Sequence, residues 1–284
     1  MKEKQIRKIL IPFKYGANID GIQYGGTKIK PKLDDYVYIS EIKLDDKNVN
    51  PKLKNLSTVV LTATALANVT SYVYNKGEFP LIIGGDHSVA LGSVSSIASI
   101  EENLGVIWID AHGDMNNYKI TESGNIHGMV LAALLGDGEE SLVNLYNNGK
   151  KINSKNVVIL GVRDLDKEEQ KNIEKYNVKY LTYEEIKTLG LKRALEKADN
   201  YFDGRITKIH ISIDLDSLDP MIIPGVSVPV IKGFNKNDIE VIVKHFFNKY
   251  IITSADIVEY NPKFDKHDIT LDFIIQSFIE ITGT

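Results

Sequence analysis

Three apolar runs in this chain end abruptly in ionisable side chains, and that pattern restricts the fold more than any other feature. Leu81-Ile82-Ile83 leads into Gly84-Gly85-Asp86-His87-Ser88, Leu104 to Ile109 into Asp110-Ala111-His112-Gly113-Asp114, and Ile209 to Ile213 into Asp214-Leu215-Asp216. Each run is almost continuously apolar, as in a strand covered by helices on both faces. Residues two apart on a strand point the same way. The spacing therefore predicts that Asp110, His112 and Asp114 converge, and that Asp214 and Asp216 do likewise. Carboxylates at the end of a buried strand are costly unless they are paired or bind metal. His87, Asp110, His112, Asp114, Asp214 and Asp216 thus form a candidate ligand set.

Helical patterns separate these runs. Leu56 to Asn75 has the spacing and alanine content of a helix, ended by Gly77 and Pro80. Ser88 to Ala98, the segment near His127 to Leu135, Tyr183 to Asp199 and Asn235 to Asn248 also read as helices, and Asp268 to Ile281 as a closing amphipathic one. Ser88, Asp164 or Asp166, and Asn235 or Asn237 are candidate N-caps. Lys8 to Phe13, Val157 to Val162, Val178 to Leu181 and Ile251 to Val258 complete the strands. The alternation predicts an α/β fold, a three-layer α/β/α arrangement on a central parallel sheet with right-handed crossovers. In such sheets the working residues lie just past the carboxyl ends of the strands, where all three motifs fall. No linker, repeat or low-complexity stretch divides the chain, so residues 1–284 read as one domain.

Composition narrows the chemistry. With no cysteine, disulfides, thiolate zinc sites and cysteine nucleophiles are excluded. A formal net charge of −4 shows no basic excess for nucleic acid or an anionic membrane. No stretch reads as a signal peptide or membrane span, which makes the cytoplasm the expected location. Four carboxylates and two imidazoles suit manganese, with iron, cobalt or nickel as substitutes, better than a structural zinc. Four negative charges balance two divalent ions. A pair of ions roughly 3.5–4 Å apart can share a water whose pKa falls toward ~7, giving hydroxide for attack on an unreactive carbon.

In order and spacing the three motifs resemble those of the ureohydrolases, the group of arginase and agmatinase, and the likeness runs from the early glycine loop to Glu259-Tyr260-Asn261-Pro262. Asp110-Ala-His-Gly-Asp-Met-Asn116 followed by Ser123-Gly-Asn-Ile-His127-Gly is closer to the arginase loop than to its agmatinase counterpart. The resemblance implies an arginase-like fold and two Mn²⁺ ions. One would be held by His87, Asp110, Asp114 and Asp214, the other by His112, Asp110, Asp214 and Asp216. It further implies that Asp114 accepts a hydrogen bond from the bridging hydroxide and that His127 shuttles a proton. Asn116 and Ser123 would hold the substrate α-carboxylate, Asp166 the α-amino group and Glu259 the guanidinium. The implied reaction converts L-arginine to L-ornithine and urea, in a homo-oligomer (trimer or hexamer).

The chain departs from the family pattern at Ser227-Val228-Pro229, where Gly-Thr-Pro is usual, and at Val130, Gly26-Thr27 and Tyr260. Val228 removes a hydroxyl near the expected guanidinium pocket. Two other readings compete: an agmatinase or another guanidino or formimino hydrolase, and an inactive metal-binding protein retained for assembly or regulation. Zinc deacetylases share an Asp-X-His strand-end theme but use fewer ligands and one metal. Outside the set, Asp86 reads as a partner of His87, Asp219-Pro220 as a turn, and His210 as a core histidine. His245 and His267 read as surface residues, and Asn144 to Asn156 as a solvated loop.

Overall fold

The computed structural model describes residues 5–45 and 50–279. Among the described residues eight strands form one parallel sheet: β1 Ile6–Leu10, β2 Tyr36–Tyr38, β3 Phe79–Ile83, β4 Gly105–Ile109, β5 Val157–Val162, β6 Lys179–Thr182, β7 Lys208–Asp214 and β8 Ile251–Val258. Their order across the sheet is β2-β1-β3-β8-β7-β4-β5-β6, with every pair parallel. The four adjacent strands β3, β8, β7 and β4 thus bring the segments that follow them, each rich in ionisable groups, to one edge of the sheet.

Period-two alternation splits the apolar residues into two cores. Ile107 and Ile109 join a core with Leu195, Phe202, Ile242 and Phe246, from helices Leu191–Phe202 and Lys236–Lys249. Val106 and Trp108 join the opposite core with Leu66, Val94, Leu131 and Ile173, from helices Leu56–Asn75, Ala90–Ala98, Val130–Leu134 and Lys167–Tyr176. Each fully buried aliphatic or aromatic side chain contributes about 1.5–3 kcal/mol of transfer free energy. The three-layer α/β/α reading is therefore met. Helix Leu56–Asn75 is long and apolar enough, at a mean hydropathy of 1.4, to cross a membrane by composition. That differs from the sequence reading. Its buried residues, including Ala63, Leu66 and Thr70, face the protein, and it packs on Ala90–Ala98.

Other differences have local causes. Tyr183 to Asp199 is two helices, Tyr183–Leu189 and Leu191–Phe202. Gly190 separates them at φ 80°, ψ 141°, a conformation that glycine adopts without steric cost. The short edge strand β2 carries too few residues for a periodic signal. Asp86, not Ser88, caps the turn before Ala90–Ala98, accepting from the Ser88 amide. The closing segment is a short helix, Ile269–Phe273, continued by a π-helical stretch to Ile279; positions 280 and 281 lie outside the described residues. Asp265 accepts from the amides of Thr270 and Leu271 at 3.1 and 3.0 Å and so caps that helix. The Tyr260 hydroxyl in turn donates to Asp265 at 3.1 Å. The segment after Asn144 is packed rather than solvated: Leu145 and Ile152 are buried, and the Lys151 ammonium donates to the carbonyls of Val143 and Gly149 at 2.6 and 2.7 Å.

Candidate metal centre and substrate cavity

One small device recurs where β3, β4 and β7 end. Asp86 accepts from the Ser88 amide at 3.0 Å, Asp110 from the His112 amide at 2.7 Å, and Asp214 from the Asp216 amide at 2.8 Å. Each is a carboxylate bonded to the amide two residues on, the Asx turn that aspartate favours. This corrects the expectation drawn from strand alternation. β4 ends at Ile109, so Asp110, His112 and Asp114 lie in a loop, and Asp214-Leu215-Asp216 turns into a 3₁₀ element at Leu215–Ser217. Folding back of the loop, rather than the pleat, brings these side chains to one side. Asp114 is further turned inward by a left-handed backbone, φ 50°. Its carbonyl anchors helix Val130–Leu134 through the amides of Leu131 and Ala132, at 3.0 and 3.2 Å.

The side chains meet as two overlapping groups. His87 Nδ1 lies 3.1 Å from a carboxylate oxygen of each of Asp110, Asp114 and Asp214. His112 Nδ1 lies 3.1 Å from Asp216 and 3.4 Å from Asp110. Ligand atoms of His87, Asp110 and Asp214, and of Asp110, His112 and Asp216, lie within 4.8 Å of one another in each group, so Asp110 belongs to both. Although buried and surrounded by three oxygens, His87 Nδ1 has no hydrogen-bond partner among the described residues, and neither has Asp114 Oδ2. Atoms that crowd together without bonding to one another, in a donor set of imidazole and carboxylate, fit a divalent cation.

Surrounding contacts orient these ligands. His87 stacks on Trp108 with ring centroids 4.1 Å apart and an interplanar angle of 6°, and Trp108 Nε1 donates to Asp110 at 3.1 Å. The far nitrogen of His87, Nε2, pairs with Ser212 Oγ at 2.9 Å. Ser212, not Asp86, is therefore the partner that orients the ring. Asp86 instead accepts from the Gly16 amide at 2.8 Å and braces the glycine loop. Burial is the first cause that raises Asp114, to about 6, and lifts Asp214 well above the usual carboxylate range, with Asp110 adding repulsion in both. Burial also raises Asp216. Burial would raise Asp110 too, but the charged imidazoles of His112 and His87 beside it hold that carboxylate low, and both histidines are pushed well above 6.5. Protons thus balance the charge here, and a cation would displace them.

A cavity of about 290 Å³ opens beside this centre, lined by His112, Asp114, Asp214 and Asp216 together with Asn116, Ser123, Asp166 and Glu169, and with His127 and Val228 also in its wall. Asp166 occupies the N-cap position of Lys167–Tyr176 but makes no side-chain cap bond; it accepts from Asn116 Nδ2 at 3.2 Å instead. Asn116 keeps one amide hydrogen free, and its Oδ1 is buried without a partner. Ser123 Oγ accepts from the Asn125 amide at 3.2 Å, which leaves its hydroxyl hydrogen to donate. His127 Nδ1 lies 3.0 Å from Glu259 Oε1. Burial opposes protonation of His127, but Glu259 outweighs it and lifts the imidazole to about 9. Glu259 does not line the cavity. Its Oε1 also accepts from the His87 amide at 2.9 Å, while the buried Oε2 has no partner among the described residues.

All eleven residues singled out in the sequence gather at this edge of the sheet. The three remaining histidines do not. His210 is buried, bonded to Ser254 at 2.7 Å and Asp256 at 3.1 Å. His245 is half-buried against Asp199 at 2.9 Å, rather than on the surface, and His267 is exposed. Sequence reasoning missed Asn125, whose buried Oδ1 is unpartnered beside the cavity. It also missed Glu169, held by the Met115 amide at 2.9 Å and pushed by burial to about 8. Glu169 stands in the charged run Lys167-Glu168-Glu169, which by composition reads as a solvated helix face.

Comparison with known proteins agrees with this geometry. The sequence profile described as "Arginase family" matches residues 12–283. An arginase of Bacillus subtilis is 38% identical over 279 residues, covering 94% of each chain. The native crystal structure of arginase from Bacillus caldovelox superposes with a TM-score of 0.91 at 34% identity, over 99% of each chain. That of Entamoeba histolytica arginase in complex with L-ornithine does so with a TM-score of 0.89 at 29% identity, over the whole of both. The profile spans nearly the entire chain, and the fold and the gathered ligand groups fit it: the chain belongs to the arginase family and is an arginase-type hydrolase.

Proposed function

We propose that the protein is a dinuclear manganese enzyme that hydrolyses L-arginine to L-ornithine and urea. The observation that carries this reading is a single cavity lined both by residues of the clustered ligand groups and by Asn116, Ser123 and Asp166. The ligand shells we infer are His87, Asp110, Asp114 and Asp214 for one ion, and His112, Asp110, Asp214 and Asp216 for the other. The pair of cations, when bound, supplies a water deprotonated near neutral pH and neutralises the carboxylates.

The protein's own groups do the rest. Asn116 and Ser123 have donor hydrogens for an α-carboxylate, and the Asp166 carboxylate suits an α-ammonium. Glu259, buried behind the cavity wall beside His127 with Oε2 unpaired, supplies the negative charge that faces the cationic guanidinium, and Asp114 Oδ2 accepts the hydrogen bond of the attacking water. Water adds to the guanidinium carbon, the bond from that carbon to the side-chain nitrogen breaks, and urea departs. The leaving nitrogen gains its proton through His127, an unliganded imidazole that Glu259 keeps charged. The complex of the Entamoeba relative with L-ornithine supports this product for the present chain. We read the chain as one domain acting as a cytoplasmic homo-oligomer, a trimer or hexamer, on family membership.

Urea release from arginine, agmatine and guanidinobutyrate by the manganese-loaded protein tests the assignment. Preference for arginine is expected. Preference for a substrate without the α-carboxylate would transfer the protein to the agmatinase type, and absence of urea from every substrate would leave a metal-binding protein without this activity.

A further inference from the structure

Arg163 follows β5 directly and holds together two loops that are otherwise far apart in sequence. Its backbone amide donates to the carbonyl of Ala111 at 2.8 Å, between the ligand positions Asp110 and His112. Its guanidinium donates to the carbonyls of Asp216 at 2.7 Å, Ser217 at 3.2 Å and Leu218 at 3.3 Å, the 3₁₀ turn that presents Asp216. The same fork reaches across to Val230 at 3.0 Å. The two loops also touch directly, the Ala111 amide donating to Asp216 Oδ1 at 3.3 Å.

Space for the fork is provided by Gly233. A Cβ there would lie 2.8 Å from Arg163 Nη2 and closer still to the Leu218 backbone. Among the described residues, Arg163 makes no hydrogen bond to His87 or Asp114. Its grip falls on the half of the centre built from His112 and Asp216.

We propose that Arg163 is a positioning residue for Asp216 and so for the second ion, its planar fork fixing the Asp216 turn beside the loop that carries the shared Asp110. This rests on the two-ion reading above. A lysine keeps the charge but offers one point of donation where the guanidinium offers a fork, so Arg163→Lys separates geometry from charge.

The test is manganese titration by calorimetry and elemental analysis on the intact protein, with anomalous scattering from crystals to say which position loses metal. Wild type is expected to bind two ions. Arg163→Lys is expected to keep one at wild-type affinity and to bind the other at least tenfold more weakly, the weakened peak lying between His112 and Asp216. Arg163→Met, which removes every side-chain donor while keeping a side chain of similar length, should do the same and serves if Arg163→Lys does not fold. Two ions in wild type with both affinities unchanged in the variants overturn the inference, as does equal weakening of both ions, the mark of a merely structural role. A wild-type protein that holds only one ion refutes the two-ion reading itself, and the inference with it.

Discussion

Glu259 Oε1 stands 3.0 Å from His127 Nδ1 while Glu259 Oε2, buried, has no partner among the described residues. One carboxylate therefore sets the charge of the proposed proton carrier with one oxygen and keeps the other for a cation. Glu259 takes a left-handed backbone, φ 68°, at the end of β8, which turns it out of the strand and toward His127.

Glu259→Gln should separate these roles. Removing an opposite charge at this distance lowers an imidazole pKa by roughly one unit or more, so His127 should titrate well below its value of about 9. The pairing adds stability below the unfolded histidine pKa of about 6.5 and loses it as pH rises through about 9. Wild type and variant should therefore differ most in stability below that lower limit and converge above about pH 9. Imidazole NMR titration and denaturation of the metal-free proteins check both points. An unmoved His127 titration would mean that Glu259 does not govern its charge.

Metal should be displaced by protons at this centre. In the metal-free protein burial and crowding hold Asp214 protonated above its usual range, and the carboxylates hold His87 and His112 charged. Manganese binding is therefore expected to release protons and to weaken as pH falls. Calorimetry in buffers of different ionisation enthalpy measures the number released. Stripping an ion present at a thousandfold its dissociation constant removes about 4 kcal/mol of stability, a drop in melting temperature on the order of 10 °C for a chain of this size.

Ser212 lies on β7 one alternation before Asp214 and reaches His87 Nε2 at 2.9 Å. Losing such an outer partner costs a metal site roughly 10–100-fold in affinity. Ser212→Ala is expected to show that loss for the His87 ion, read by competition with a chelator, with little change in fold. Unchanged metal affinity would mean that stacking on Trp108 alone orients the ring.

Much of this arrangement was legible before any coordinates. Val157 to Val162, Ile251 to Val258 and Leu56 to Asn75 occupy the spans their patterns predict, because a buried strand and a long apolar helix each write a strong period into the chain. Asp110 and His112 were legible as ligand types in the right place, though not as members of an Asx turn, since hydrogen bonding to an amide two residues away leaves no mark on periodicity. Gly190 was visible but its φ was not. Arg163 and Asn125 were silent for another reason. Each acts through backbone carbonyls or an unpartnered amide oxygen, contacts that only the folded chain brings together.

The proposed contacts to the amino-acid head group yield the most discriminating measurement. Ser123, an exposed residue of the cavity wall, has its hydroxyl hydrogen unspent, since Oγ accepts from the Asn125 amide, and Asn116 spends one amide hydrogen on Asp166. If these two groups hold an α-carboxylate, Ser123→Ala and Asn116→Ala each remove a charge-assisted hydrogen bond, about 1.5–3 kcal/mol, or roughly 10–150-fold in arginine kcat/KM. Agmatine has no carboxylate, so its kcat/KM should barely change. A change confined to KM would mark binding shared by ground and transition states, and a fall in kcat would mark a contact tightened during reaction. Equal losses for arginine and agmatine would show that Ser123 and Asn116 shape the loop rather than read the amino-acid head group. That outcome would leave the hydrolytic centre in place while removing the reason to prefer arginine as its substrate.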